Sequence, residues 1–115
     1  KKTSKRVLDG ITKVVNDPHG TGYSIHRKDL TLAGKTGTAE NPHGKDHSIF
    51  MGFAPYQNAK VAIAVFVENA GFGATYAVPI GKLMLEKYLK GEISEANKAT
   101  EEYIMNAVIL PNNAL

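Results

Sequence analysis

The stretch Val61-Ala62-Ile63-Ala64-Val65-Phe66-Val67 is apolar at every position and alternates β-branched residues with smaller or aromatic ones. It is far shorter than the roughly 20 apolar residues needed to cross a bilayer. Continuous apolarity over strand length is the signature of a strand buried on both faces in the middle of a sheet, with helices covering both sides. Upstream, Ile49 to Ala54 is a second apolar run, separated from Lys60 to Glu68 by Pro55-Tyr56-Gln57-Asn58. So short a turn cannot connect parallel strands, so the two runs are expected to pair antiparallel. Thr31 to Ala39, rich in small and β-branched residues, reads as a further strand.

Helical signals flank these strands. Val7, Leu8, Ile11, Val14 and Val15 recur at helical spacing among charged residues, which predicts an amphipathic helix over Ser4 to Asn16 that stops before Pro18. Gly20-Thr21-Gly22 continues the connection. Downstream of Gly71-Phe72-Gly73, the residues Val78, Leu83, Leu85, Tyr88 and Leu89 fit a helix ending at Lys90-Gly91, with Pro79 in its first turn. From Ser94 onward a further helix through Met105 and Val108, stopped by Pro111, fits the pattern less well. The expected fold class is α/β, more specifically α+β, with antiparallel strands flanked by helices. Residues 1–91 are expected to form one structural unit, and 92–115 a C-terminal tail with helical character.

At 115 residues and 43% hydrophobic, the chain has material for one modest core. The net charge of +3 is mild and its one dense basic cluster is Lys1, Lys2, Lys5 and Arg6, too little to point to nucleic acid. The absence of cysteine excludes disulfides, thiolate metal sites and cysteine nucleophiles from this chain.

Chemistry is concentrated in Ala33-Gly34-Lys35-Thr36-Gly37-Thr38-Ala39, which sets a cation, two hydroxyls and two glycines on a strand. Alternation places Thr36 and Thr38 on one face and sends Lys35 to the other, so a joint role requires local twist or an edge position. A phosphate-binding loop would need a glycine at position 29, where Asp29 stands, and a helix after the lysine, where Pro42 and Gly44 stand. The pattern therefore argues against nucleotide binding, and the plain alternative is that Gly34 and Gly37 only ease strand packing. His43 and His47 have an i, i+4 spacing that suits metal on a helix, but the segment is interrupted by Gly44 and preceded by Pro42, so a loop histidine and a strand-start structural histidine are expected in preference to a metal pair. Glu68 is expected to help cap the Gly71-Phe72-Gly73 turn. No metal or cofactor is expected.

From Ala33 to Leu89 the chain resembles the transpeptidase domain of class B penicillin-binding proteins. Ala33 to Ala39 resembles that family's Lys-Thr-Gly motif. Asp46-His47-Ser48-Ile49-Phe50-Met51-Gly52-Phe53-Ala54-Pro55 resembles the strand that pairs with it, and Lys60 to Gly71 resembles the next strand and its exit loop. The helix near Leu83 to Leu89 resembles the domain's C-terminal helix, and the short loop before Asp46 resembles elongation-type enzymes. The resemblance implies residues 1–91 as the C-terminal portion of a transpeptidase domain with a penicillin-binding and serine β-lactamase-like fold.

The activity so implied is acyl transfer between peptidoglycan stem peptides through a serine, with β-lactams as mimics of the donor. Lys35 resembles the lysine that supports proton transfer and the substrate carboxylate, Thr36 and Thr38 resemble carboxylate-binding hydroxyls, and the Thr38 backbone N–H resembles half of an oxyanion hole. Gly37 would let an extended peptide lie along the strand. The family's Ser-x-x-Lys motif is absent: Ser4, Ser24, Ser48 and Ser94 are followed three residues later by Val7, Arg27, Met51 and Asn97. No serine precedes an asparagine by two, so Ser-x-Asn is absent too. The chain alone is therefore expected to be inactive, as part of a longer enzyme. Implied partners are stem peptides, β-lactams, the remainder of the domain and cell-elongation proteins, on the outer side of the cytoplasmic membrane through an anchor not contained here. The alternatives are a D,D-carboxypeptidase, a β-lactam sensor, or a non-catalytic peptide-binding module.

Overall fold

The computed structural model describes residues 1–109. In chain order the elements are α1 (Lys2–Asn16), β1 (Ala33–Ala39), β2 (His47–Ala54), β3 (Val61–Val67), α2 (Ala77–Lys90) and α3 (Lys98–Met105), with 3-10 turns at Tyr23–Ile25 and Glu95–Asn97. The strands form one antiparallel sheet in the order β1-β2-β3, an α+β arrangement. Both ladders run without a bulge, from Ala33 opposite Phe53 to Ala39 opposite His47, and from Ser48 opposite Val67 to Ala54 opposite Val61.

The expectation that β3 is buried on both faces is wrong for this chain. The central strand is β2, and β3 lies at the sheet edge. Ala62, Ala64 and Phe66 are exposed, with Phe66 at 56%, whereas Val65 on the alternate face is buried. Helix α2 packs across β2 and β3 on one face only. Among the described residues, Met51, Phe53, Ala62 and Ala64, with Ile11 of α1, leave an open apolar groove on the other. Apolar runs report the capacity for two-sided burial, and here only one side is used. Similarly, Val15 of α1 is fully buried while Val7 and Leu8 at its outer end remain about half exposed.

The covered face is organised around Phe50, which is fully buried. Three glycines make room for its ring. A Cβ at Gly34 or Gly52 would lie 2.7 Å from the ring, and one at Gly81 of α2 would lie 2.5 Å from it. Gly34 and Gly52 are register partners, so the ring is bracketed by two backbones in the sheet and one in the helix. Leu85, Val78, Ala77, Val15, Ile25 and Leu32 complete the core. Helix α2 starts at Ala77 with Pro79 in its first turn and ends at Gly91, whose φ of 80° is the left-handed conformation that favours glycine there.

A polar cluster sits at the far side of α2. Glu86 is fully buried and pairs with Arg27, while Asn97 donates to its other carboxylate oxygen at 2.7 Å. Arg27 also bonds Ser94 Oγ at 3.1 Å and Asp29 at 2.5 Å, and Lys90 pairs with Asp29. Burial pushes the Glu86 carboxyl up, but hydrogen bonds from Asn97 and Ser94 and the Arg27 charge outweigh it and hold the group below its usual range. Beyond Gly91, α3 stacks Tyr103 on Tyr76 with centroids 5.9 Å apart. Val108 lies beyond the end of α3, and Pro111 lies outside the described residues.

Candidate functional site

Strand β1 carries Lys35, Thr36, Gly37 and Thr38 at the edge of the sheet opposite β3. Register places Thr36 opposite Phe50 and Thr38 opposite Ser48, both on the α2 side of β2, and Lys35 opposite the exposed Met51. Alternation thus holds, and Lys35 starts on the face away from the threonines. Its long side chain resolves the conflict: Nζ turns back to donate to the Thr36 carbonyl oxygen at 2.7 Å. No bulge at Gly37 is needed. The edge position suffices, because no further strand pairs with β1 on that side and the Thr36 carbonyl is within the lysine's reach.

Glycines near the motif have separable causes. Gly34 belongs to the Phe50 packing described above, so the packing explanation is right for that residue. A Cβ at Gly37 would make ordinary 3.4 Å contact with Ile49 Cβ, so the chain itself leaves room for a side chain there. The close approach comes from Gly73 instead: its Cβ would fall 2.5 Å from the Gly37 carbonyl oxygen and 2.6 Å from that of Ile49. Only glycine lets the loop after β3 press against the motif's backbone.

That loop is tied down by residues that periodicity does not single out. Ser48, fully buried opposite Thr38, donates to the Phe72 carbonyl at 2.9 Å and accepts the Ala77 N–H at 3.1 Å. Gly71 N–H bonds the Asp46 carbonyl at 2.7 Å, and Asn41 Nδ2 bonds Asn69 Oδ1 at 2.7 Å. His47 opens β2 and accepts the Asn69 N–H at Nδ1, a structural use, while His43 is exposed in the preceding loop. Glu68 is exposed, and the bonds that hold the turn come from Asn69, Asp46 and Ser48. Among the described residues no group of three or more His, Asp or Glu side chains could hold a metal ion.

The opposite flank of β1 is formed by the end of α1. Thr21 Oγ1 lies 2.8 Å from Thr36 Oγ1, a contact that sequence spacing could not reveal. Lys13, Asp17, His19, Thr21 and Lys35 line an open groove beside it. The backbone N–H of His19 is the main cause holding the Asp17 carboxyl below its ordinary range.

The penicillin binding protein transpeptidase domain family matches residues 1–86. The chain belongs to that family. Among the relatives of this transpeptidase segment, it is 32% identical over 105 residues to the peptidoglycan D,D-transpeptidase MrdA of Haemophilus influenzae, covering 77% of this chain and 16% of that protein. It is 44% identical over 74 residues to the peptidoglycan D,D-transpeptidase PbpA of Mycobacterium tuberculosis, covering 55% of this chain and 15% of that one. A crystal structure of the D,D-transpeptidase domain of a peptidoglycan glycosyltransferase from Eggerthella lenta superposes with a TM-score of 0.61 at 33% identity, covering 78% of this chain and 21% of that one. The transpeptidase segment therefore spans about a sixth of the curated relatives it matches. No helix among its described residues is long and apolar enough to cross a membrane.

Proposed function

We propose that this chain supplies the Lys-Thr-Gly wall of an elongation-type peptidoglycan D,D-transpeptidase, which joins stem peptides by serine acyl transfer and is acylated by β-lactams. The observation that carries this reading is the edge strand itself. It presents Thr36 and Thr38 on one face and brings the Lys35 ammonium round to the Thr36 carbonyl. Lys35 and the two hydroxyls then form a compact donor set for a carboxylate, and the Thr38 N–H polarises the scissile carbonyl. Gly37 leaves the strand edge clear for an extended peptide to pair alongside. The nucleophilic serine and its lysine come from parts of the enzyme outside this chain, which works on the outer side of the cytoplasmic membrane.

The test is acylation of the transpeptidase that contains this segment. Thr38→Val keeps the backbone N–H and the branched shape but removes a hydrogen bond to a charged group, a loss of roughly 1.5–3 kcal/mol. Acylation by a β-lactam bearing its carboxylate should fall about ten- to a hundredfold, and preference over the ester analogue should shrink. Lys35→Ala should cost more. Wild-type acylation by the valine variant, with undiminished preference for the acid, refutes carboxylate binding by Thr38.

A further inference from the structure

We infer that Thr21, which lies outside the Lys-Thr-Gly strand, is a positioning residue that sets the direction of the Thr36 hydroxyl for carboxylate binding. This rests on the function proposed for β1. The two Oγ1 atoms are 2.8 Å apart, well within hydrogen-bond reach, although the residues are far apart in sequence. Each hydroxyl owns a single proton. If Thr36 gave its proton to Thr21, it would meet an incoming carboxylate with lone pairs and repel it. With Thr21 as donor, Thr36 accepts from it, and its own proton is released toward the substrate. A donor that is itself accepting a hydrogen bond is also polarised toward stronger donation.

Thr21 is well placed for such a role because its backbone is fixed on both sides. Gly20 N–H bonds the Asp17 carbonyl at 2.8 Å, Gly22 N–H bonds the Val14 carbonyl at 2.9 Å, and Tyr23 N–H bonds the Gly20 carbonyl at 3.0 Å. A Cβ at Gly20 would lie 2.2 Å from the Val14 carbonyl oxygen, so only glycine allows the loop to fold this tightly beneath the end of α1. Thr21 itself is exposed. An exposed hydroxyl pair adds little to stability, because water offers each partner an equal bond in the unfolded chain. The economical use of so rigid a mount for an exposed hydroxyl is to orient its neighbour. Lys35 lines the groove that Thr21 also lines, so the cation and the orienting residue border the same space.

The experiment compares Thr21→Val, Thr21→Ser, Thr36→Val and the Thr21→Val/Thr36→Val double variant in the transpeptidase containing this segment. Acylation is measured with a carboxylate-bearing β-lactam and with its ester. Thr21→Val should slow acylation by the acid about three- to tenfold, the range for losing one neutral hydrogen bond, and leave the ester rate unchanged. Thr21→Ser should restore the acid rate. In the Thr36→Val background Thr21→Val should cost nothing further, because the hydroxyl it orients is gone. The inference is overturned by wild-type acylation in Thr21→Val, by equal losses on acid and ester, or by a full additional loss in the double variant. If Thr36→Val impairs acylation and Thr21→Val does not, only the positioning role fails. If Thr36→Val itself acylates normally, the assignment of Thr36 and the inference built on it fall together.

Discussion

Arg27→Ala should destabilise this chain more than any surface substitution, because it isolates a carboxylate that has no access to water. Glu86 is fully buried, and the Arg27 side chain that neutralises it is itself only 16% exposed. Removing one partner of a buried pair typically costs about 3–5 kcal/mol. Asn97 and Ser94 continue to bond the carboxylate, and Lys82 is nearby, so the lower half of that range is expected. For 115 residues the unfolding entropy is about 0.24 kcal/mol/K, which converts about 3–4 kcal/mol into a fall of about 12–17 °C in Tm. Thermal unfolding followed by circular dichroism measures this directly. The sign with pH is also fixed. Since Glu86 in the fold titrates below its ordinary 4.5, its contribution is complete above about pH 4.5 and is lost as pH falls through the lower folded value. Asp29, held low by Arg27 and Lys90, acts in the same direction, though its exposure weakens the effect. Glu86→Gln should therefore flatten the acid limb of the stability profile, and an Arg27→Met/Glu86→Leu pair should recover much of what Arg27→Ala loses. A Tm fall of less than 3 °C for Arg27→Ala would refute the account of Glu86 as a charge dependent on its partner.

Gly73→Ala should displace the loop after β3 from the motif, since the added Cβ would meet two backbone carbonyl oxygens at about 2.5 Å; hydrogen exchange at Gly37 and Thr38 should quicken, and unchanged protection would contradict the contact. The open apolar groove around Met51, Phe53, Ala62 and Ala64 should drive association of the isolated chain. Light scattering should show mass rising with concentration, and Met51→Lys with Ala64→Glu should suppress the rise; a monomer at all concentrations would count against it.

Much of the fold is visible in local pattern. The period of α1, the hairpin around Pro55 to Asn58 and the Gly91 stop of α2 all follow from side-chain spacing and turn chemistry. The place of β3 is not visible, because apolar residues at Ala62 and Phe66 record what could cover them and not whether this chain does. The site shows the same division. Lys35, Thr36, Gly37 and Thr38 stand out as residue types, but the return of Lys35 to the Thr36 carbonyl depends on β1 being an edge strand. Thr21, Ser48 and Gly73 reach the motif only through tertiary contacts, and a sequence gives no distance between residues so far apart. In retrospect, Gly20 beside Thr21 and Gly73 after β3 were the available hint, since each marks a backbone approach that a side chain would prevent, while Gly71 is set by its positive φ of 76°.

The ring of Phe50 links positions that lie in three different elements. Gly34 belongs to the motif strand, Gly52 to its neighbour and Gly81 to a helix, yet each borders the same six-membered ring. A family member that enlarges Gly81 must shrink residue 50, whereas a Cβ at Gly34 would also lie 2.6 Å from the Met51 carbonyl oxygen and one at Gly52 3.0 Å from that of Ala33, so the sheet backbone confines those two even without the ring. Positions 50 and 81 should therefore vary together across relatives, with an aromatic at 50 accompanied by glycine at 81, while glycine at 34 should persist whatever stands at 50. Engineering that alters the Lys-Thr-Gly strand one residue at a time will meet both the ring and the Met51 carbonyl at Gly34.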